Sequence, residues 1–188
     1  MRRTTGSCRS DGSGQRSALP PWRWTTQGIR RNCAASWKEH MPLALVDANI
    51  PIYAAGSGHP LKGPCADVLR LISEIPTSFL TDAEVLQELL HYYLVRRLVS
   101  HGLDVVEAFA QLMSGRVEPV LGGDVLDACR MAREGATDIP ARDLLHVAVA
   151  RRVGVAYVVS ADSHFDQLAG VTRLDPARLS EWRLLFTE

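Results

Sequence analysis

The sequence predicts an α/β domain built on a central, mostly parallel sheet of about five strands flanked by helices. From Leu43 onward, short apolar runs alternate with longer amphipathic segments, which is the pattern of a strand–helix–strand domain. The composition, 46% hydrophobic and 22% charged, is that of an ordinary globular protein. The chain from Met41 is long enough for one hydrophobic core and contains no internal repeat, so we expect a single domain.

The first 40 residues differ from the rest in charge and pattern. They carry eight Lys or Arg and two acids, a net charge of +6, whereas the remainder has 13 basic and 19 acidic residues, a net charge of −6. They show no apolar period, which predicts a disordered basic tail at 1–40 before a folded domain at 41–188. A transit peptide or a nucleic-acid-binding tail stays open, but the simpler interpretation is that Met41 is the true start and the tail comes from gene-model extension.

Cysteine spacing and hydropathy exclude several classes of protein. The four cysteines fall in no CxxC or Cys/His spacing, so neither a zinc site nor a disulfide framework is expected. No segment approaches the roughly 18 apolar residues of a membrane span. No apolar run of an export signal follows Arg2-Arg3. We therefore expect a cytoplasmic protein that does not enter membranes.

The predicted strands are the short apolar runs, and helices occupy most of the segments between them. The strands are predicted at Leu43–Asp47, Ser78–Leu80, Val117–Leu121, Ala156–Ala161 and Val171–Leu174. The segment Asp82–Ser114 is long enough for two consecutive helices, and we expect the break between them at Gly102.

The first strand ends abruptly in an acid, Asp47, followed two residues later by Asn49. In extended chain, side chains at this spacing face the same way. Asp47 could then bind a metal while Asn49 hydrogen-bonds beside it. The alternative is that both residues simply begin a turn, which Asp and Asn favour.

The next helix contains two candidate acids, Glu84 and Glu88. Thr81-Asp82-Ala83-Glu84 fits the capping box S/T-x-x-E, in which Thr81 caps the helix and Glu84 reaches back to it. Glu88 lies nearer the edge of the apolar face of the helix and is better placed to point into a cleft. The alternative for Glu88 is a solvated helix flank.

A third acid, Asp143, stands near the start of a helix that is apolar almost all round. Pro140 marks the first turn of this helix. The macrodipole explains many acids in such positions, but a partly buried Asp must be paired, neutralised or bound to a metal. His146, one turn later, is more readily explained as a core histidine than as a residue that touches substrate.

The fourth acid, Asp162, follows the buried run Ala156–Ala161. Ser160 could hydrogen-bond a neighbouring acid, and Asp166, a turn later, could assist. The alternative is that Asp162 is an N-cap for a short helix. Because the carboxyl ends of parallel strands line one crevice, acids at these points should converge in space, and a cluster of this charge needs a divalent cation.

Four segments together resemble the PIN-domain ribonucleases and, within them, the VapC-like toxins of bacterial toxin–antitoxin pairs. The resemblance covers about Leu43 to Pro176 and rests on LVDANIPIYAAG, VLQELLHYY, ARDLLHVAVA and VVSADSHFDQL, in the family's order. It implies a PIN-like fold and four metal-binding catalytic acids, Asp47, Glu88, Asp143 and Asp162. By the same resemblance, Asn49, Ser160 and Asp166 are supporting positions.

The resemblance implies Mg²⁺- or Mn²⁺-dependent hydrolysis of RNA. It also implies a homodimer and a cognate antitoxin that binds it. Hard carboxylate ligands suit these ions. An alternative is a PIN scaffold that has lost activity and binds RNA or protein. A receiver domain or phosphatase fits less well, because Asp47 lacks the second Asp of a DxD pattern and no phosphate loop is present. A domain of negative net charge needs basic side chains near the site in order to bind RNA. The candidates for this role are Lys62, Arg96, Arg97, Arg142, Arg151 and Arg152.

Overall fold

The computed structural model describes residues 43–187. The tail predicted at 1–40 and the predicted start at Met41 lie outside these residues. Within them the chain forms five strands and seven α-helices, which confirms the predicted fold class. The strands are β1 (Ala44–Val46), β2 (Phe79–Asp82), β3 (Val117–Glu118), β4 (Tyr157–Val159) and β5 (Thr172–Leu174). The helices are α1 (Asn49–Ala55), α2 (Lys62–Glu74), α3 (Ala83–Val95), α4 (Val99–Leu112), α5 (Gly122–Arg133), α6 (Ala141–Val153) and α7 (Leu179–Trp182).

All five strands are parallel, and their order in the sheet is β3-β2-β1-β4-β5. Leu45 in the central strand is in register with Leu80 on one side and Val158 on the other. The chain moves outward from β1 through β2 to β3 and then crosses to β4 on the opposite side of β1. The carboxyl ends of β1 and β4 therefore form the crevice at which the strand order reverses, where α/β proteins bind ligands.

Helices cover the sheet on both faces. Because alternate strand residues point to opposite sides, each face has its own set of apolar side chains to bury. Val46 and Val159 belong to a core shared with α1, α2, α3 and α4. Leu45 and Val158 belong to a second core shared with α5 and α6. Among residues 43–187, none of the helices has both the length and the apolarity needed to cross a membrane.

The two helices predicted within Asp82–Ser114 are present, but the predicted break at Gly102 is wrong. The chain turns at 96–98, where Arg97 takes a left-handed conformation with φ of 57°. Gly102 lies inside α4 and is buried against α3, where an added Cβ would stand 2.2 Å from the Cβ of Tyr93. Gly102 therefore permits close packing of the two helices rather than separating them.

Helix α6 is buried over residues 144–150, where only Leu145 is partly exposed, and its two ends are more exposed than its apolar sequence predicts. Pro140 immediately precedes it as the N-cap residue, one position earlier than expected. Gly154 ends it in the left-handed conformation, φ of 77°, which glycine adopts without steric cost. Asp143 and His146 are three positions apart and therefore lie on the same side of this helix.

Candidate active site

Asp47 stands at the carboxyl end of β1 and is 6% exposed. Its backbone N–H donates to Val159 O at 3.1 Å, so the end of β1 is joined to the end of β4. The Oδ1 atom accepts a hydrogen bond from Ala48 N at 2.6 Å, and Oδ2 accepts one from Ser160 Oγ at 2.7 Å and another from Asn49 Nδ2. The carboxylate is therefore held in one orientation at the reversal point of the sheet.

Asn49 and Ser160, the two predicted supporting residues next to Asp47, also bind each other. Asn49 Nδ2 donates to Ser160 Oγ at 2.8 Å, and Asn49 Oδ1 accepts from Ala161 N at 3.1 Å. Ser160 Oγ accepts in addition from Asp162 N at 2.9 Å. One serine hydroxyl thus links the Asp47 carboxylate to the backbone of Asp162, so the ends of β1 and β4 are joined through side chains as well as through the backbone.

Burial changes the acidity of Asp47. Loss of solvent raises its pKa to about 6, and the charge of Glu88 adds to the rise, while His146 and the Ser160 hydrogen bond oppose it. An ionised carboxylate in this position is destabilised by its surroundings. A bound cation would reverse that effect, since it would favour the ionised form.

Glu88 points toward the same place from α3. Its Oε1 lies 3.2 Å from Arg142 Nη1, and its Oε2 lies 3.9 Å from His146 Nε2. The neighbouring His146 and then Arg142 lower the pKa of Glu88, although burial acts in the opposite direction. Glu88 is therefore ionised at neutral pH, with one oxygen committed to Arg142 and the other facing the histidine.

The capping prediction for this helix is wrong, although its choice of Glu88 agrees with the geometry. Thr81 lies within β2 and donates from Oγ1 to Val46 O at 2.9 Å. Asp82 is the N-cap of α3, accepting from Val85 N at 2.9 Å. Glu84 does not complete a capping box but lies 3.6 Å from Arg142. Strand β2 runs two residues further than predicted, which moves the cap from Thr81 to Asp82.

Asp143 and Asp162 form a second acidic pair, joined by His164. The Nδ1 atom of His164 lies 3.3 Å from Asp143 Oδ2 and 3.1 Å from Asp162 Oδ1. Burial and the charge of Asp162 raise the pKa of Asp143, while His146 and His164 oppose the rise. Asp162 also accepts a hydrogen bond from His164 N at 2.9 Å and caps a 3₁₀ turn. The N-cap role that the sequence left open for Asp162 is therefore present, and the same side chain also belongs to the acidic cluster.

The four predicted acids thus fall into two neighbouring groups, each completed by a histidine. Potential ligand atoms lie within 4.8 Å of one another in each group. The groups are Asp47, Glu88 and His146, and Asp143, Asp162 and His164. Carboxylate oxygens are the ligands that Mg²⁺ and Mn²⁺ accept. Burial raises the pKa of Asp47, and a divalent cation would favour its ionised form, so the donor set of these residues fits such an ion.

Asp166 lies apart from the two groups. It binds Arg173 through both carboxylate oxygens, each at 2.9 Å, and its side chain is 52% exposed. Arg173 Nη1 in turn donates to Ser160 O at 3.2 Å. Asp166 therefore supports the end of β4 through Arg173 and does not face the cluster.

Sequence reasoning missed Asp82 as a site residue and left His146 open. Both side chains are fully buried, and His146 Nδ1 lies 2.8 Å from Asp82 Oδ2. Burial alone would lower the pKa of His146, but Asp82 and then Glu88 raise it to about 10. Asp82 does carry a signal in the sequence, since it follows an apolar run closely as Asp47 does, but the motif S/T-x-x-E predicts an interior position of a capping box for it.

Of the six predicted RNA-facing cations, Arg142 is the one that the structure brings to an acid of the site. Arg152 binds Glu118 and Asp124 instead. Arg151 donates to a backbone carbonyl, and Arg96 stacks on a tyrosine ring at 4.5 Å. Arg142 Nη1 lies against Glu88, and its side chain is 39% exposed, so it is placed at the rim of the crevice.

Comparison with known proteins supports the resemblance seen in the sequence. The chain is 33% identical over 135 residues to ribonuclease VapC13 of Mycobacterium tuberculosis, covering 70% of this chain and 99% of the relative. The fold is similar to that of FitAcB from Neisseria gonorrhoeae (TM-score 0.57, 18% identity, 73% of this chain and 100% of the other). It is also similar to that of VapC20 of M. tuberculosis, a sarcin–ricin loop cleaving toxin (TM-score 0.55, 22% identity, 68% and 96%). The family model of the PIN domain matches residues 44–171, so this chain belongs to the PIN domain family.

Proposed function

We propose that this PIN-domain chain is a Mg²⁺- or Mn²⁺-dependent endoribonuclease and the toxin of a toxin–antitoxin pair. Its catalytic and metal-binding residues in this proposal are Asp47, Glu88, Asp143 and Asp162, within a nuclease domain at 41–188. The observation that carries the proposal is the orientation of Asp47. A carboxylate that is desolvated and also held by three hydrogen bonds is arranged for a cation, since a purely structural role would not need an ionised group there.

The named relatives support the choice of substrate and partner. VapC13 carries the name ribonuclease, and solved structures of similar fold include toxin–antitoxin complexes, one of them from Klebsiella pneumoniae. The alternative of an inactive scaffold is disfavoured by the geometry. A scaffold has no need for the hydrogen bonds from Asn49 and Ser160 that orient Asp47.

The chain's own residues can be given separate tasks in phosphodiester hydrolysis. A divalent ion, when bound, would lower the pKa of a water molecule and neutralise charge on the phosphate. Asp47 and Glu88 from one group, and Asp143 and Asp162 from the other, would hold it. Arg142, at the rim, can bind a phosphate oxygen of the RNA while its contact with Glu88 keeps that acid in place. Because the substrate is cellular RNA, we expect the protein to act in the cytoplasm.

Helices α3 and α4 offer a surface for a second copy of the chain or for the antitoxin. Large apolar side chains are exposed along both helices and the turn between them, which is unusual for a surface that stays in water. They are Leu90, Leu94, Val95, Leu98, Val99 and Leu103. This surface agrees with the predicted homodimer and antitoxin partner.

RNA cleavage by the full chain tests the proposal. We expect cleavage with Mg²⁺ or Mn²⁺, loss of cleavage in excess chelator, and at least about a 100-fold loss in Asp47→Asn and Asp143→Asn. Residues that only orient a ligand are already worth about 10- to 100-fold in metal affinity or activity. Asp67→Asn is the matched control, because Asp67 is an exposed acid paired with Arg70 on α2.

Two results would contradict the proposal. Cleavage that persists in excess chelator would show that the reaction does not need a metal. Equal cleavage by wild type, Asp47→Asn and Asp143→Asn would show that these acids are not catalytic. For the toxin role, induced production of the wild type in bacteria should slow growth, and production of Asp47→Asn at the same level should not.

A further inference from the structure

The buried pair of Asp82 and His146 has no task in the mechanism given above. Asp82 ends β2, and His146 lies in the middle of α6, 64 residues later. Both side chains have no exposed surface, and Nδ1 of the imidazole is 2.8 Å from Oδ2 of the carboxylate. The other oxygen of Asp82 caps α3 by accepting from Val85 N at 2.9 Å. The carboxylate is therefore fixed, and it fixes the plane and direction of the imidazole ring.

The second ring nitrogen of His146 points at the first acidic group. With Nδ1 bound to Asp82, Nε2 is the atom that faces Glu88, whose Oε2 is 3.9 Å away, beyond hydrogen-bond distance. Among residues 43–187, Nε2 has no hydrogen-bond partner, although it is fully buried. A buried polar atom without a hydrogen-bond partner is unfavourable, so such an atom needs an explanation.

A cation between these atoms supplies that explanation. A divalent ion can take the place of the proton on Nε2: with Nδ1–H donating to Asp82, an Nε2 that has given up its proton presents a lone pair toward Asp47 and Glu88, and the ion supplies the positive charge between the three groups. Two ligands on an ion with bonds of about 2.1 Å lie about 3.0 Å apart when adjacent and about 4.2 Å apart when opposite. The 3.9 Å between Nε2 and Glu88 Oε2 lies between these two values, so a movement of less than about 1 Å by the part-exposed Glu88 side chain would bring the atoms to either spacing.

We propose that His146 Nε2 is a direct ligand of the divalent cation, together with Asp47 and Glu88, and that Asp82 is the carboxylate that orients it. The arrangement is a carboxylate–histidine–metal triad, in which the outer acid sets the tautomer and the direction of the ring. The inference rests on the proposed metal-dependent function. It adds a nitrogen ligand to a site that was otherwise composed of carboxylates.

A nitrogen ligand changes which ion the site prefers. Imidazole binds transition ions well, whereas Mg²⁺ selects oxygen ligands and gives up its water reluctantly. The first group should therefore favour Mn²⁺ over Mg²⁺. The second group differs, because its histidine, His164, is 40% exposed and already lies between Asp143 and Asp162.

Pulsed EPR of Mn²⁺ bound to the full chain tests the proposal directly, because it detects coupling between the ion and a nitrogen that coordinates it. We expect a ¹⁴N coupling in the wild type, its loss in His146→Asn, and its persistence in His164→Asn. Asparagine at 146 can still donate to Asp82 from the position of Nδ1 but has no atom at the position of Nε2. His164→Asn is the matched control, because it removes the other histidine near the acids.

The affinities for Mn²⁺ and Mg²⁺ give a second readout, because replacing a purely structural histidine would not change the preference between the two ions. His146→Asn should lose about tenfold or more in Mn²⁺ affinity and less in Mg²⁺ affinity, so that the preference for Mn²⁺ falls. Asp82→Asn should weaken Mn²⁺ by about 10- to 100-fold, as outer-shell partners do. If His146→Asn does not fold, the wild-type and His164→Asn spectra still decide the question.

The outcomes separate this inference from the proposed function. Bound Mn²⁺ without nitrogen coupling in the wild type, coupling that persists in His146→Asn, or coupling lost in His164→Asn alone would overturn the histidine ligand while metal-dependent cleavage could still be observed. A wild type that neither binds Mn²⁺ nor cleaves RNA would overturn both.

Discussion

Ionisation of Asp47 should oppose folding in the metal-free protein, so Asp47→Asn should become relatively more stable as pH rises. Burial raises the pKa of Asp47 from 3.8 to about 6. The stability that this group contributes is therefore fully present below pH 3.8 and is lost as the pH rises through about 6. Asparagine does not titrate, so the variant keeps its stability over that range.

The size of the effect follows from the shift in pKa. A rise from 3.8 to about 6 corresponds to roughly 3 kcal/mol between the acid and the alkaline limits, and about half of this falls between pH 5 and pH 8. The amide cannot accept all the hydrogen bonds that the carboxylate accepts, which costs about 1–3 kcal/mol at every pH. The quantity to measure is thus the change with pH in the stability difference between variant and wild type.

Urea or thermal unfolding of both proteins at pH 5 and pH 8, in chelator, measures this change. The melting temperature of Asp47→Asn should gain about 3–6 °C on the wild type over this interval, using about 2–4 °C per kcal/mol for a chain of this size. Saturating Mn²⁺ should reverse the gain, because the ion stabilises the ionised aspartate. A stability difference that does not change with pH, or that matches the one measured for the exposed Asp67→Asn, would refute the reasoning.

Two further predictions concern packing and the buried pair. Gly102→Ala should destabilise the protein by about 1–3 kcal/mol in urea unfolding, because its Cβ would overlap Tyr93. Gly63→Ala, in an open position on α2, should stabilise it by about 0.5–1 kcal/mol. Equal effects of the two substitutions would contradict the close packing at Gly102. Asp82→Ala should cost about 3–5 kcal/mol, because it removes the carboxylate bound to Nδ1 of the buried His146. Asp175→Ala, which removes the cap of a partly exposed 3₁₀ turn, should cost about 1 kcal/mol. A loss of that size in both variants would show that Asp82 is only a cap.

The sheet and the acids at its edge could be predicted because they depend on local pattern. Apolar runs that end in Asp47 and Asp162 are visible in the sequence, and parallel strands bring their carboxyl ends together whatever the loops do. The turn at Arg97 could not be predicted. Gly102 is a plausible helix breaker by propensity, and its true role depends on Tyr93, which approaches it only in the folded structure.

The role of the Asp82 and His146 pair was hidden for a related reason. The motif S/T-x-x-E is consistent with a cap at Thr81, and only the length of β2 shows that Asp82 holds this place. His146 lies among apolar residues in a helix that is buried on most sides, so its surroundings in sequence predict a core residue. That prediction is correct as to burial, but it cannot show that one ring nitrogen is held by an acid 64 residues earlier.

The sheet order has a consequence for when the proposed nuclease site can form during synthesis. Ser160, which orients Asp47, follows it in the chain by 113 residues, and β4 can join β1 only after most of the chain has left the ribosome. A chain that stopped before this point would contain Asp47, Glu88 and even Asp143, but it would lack the strand that joins them. Under the proposed toxin function, incomplete products of synthesis should therefore not cleave RNA, and activity should begin with the finished molecule.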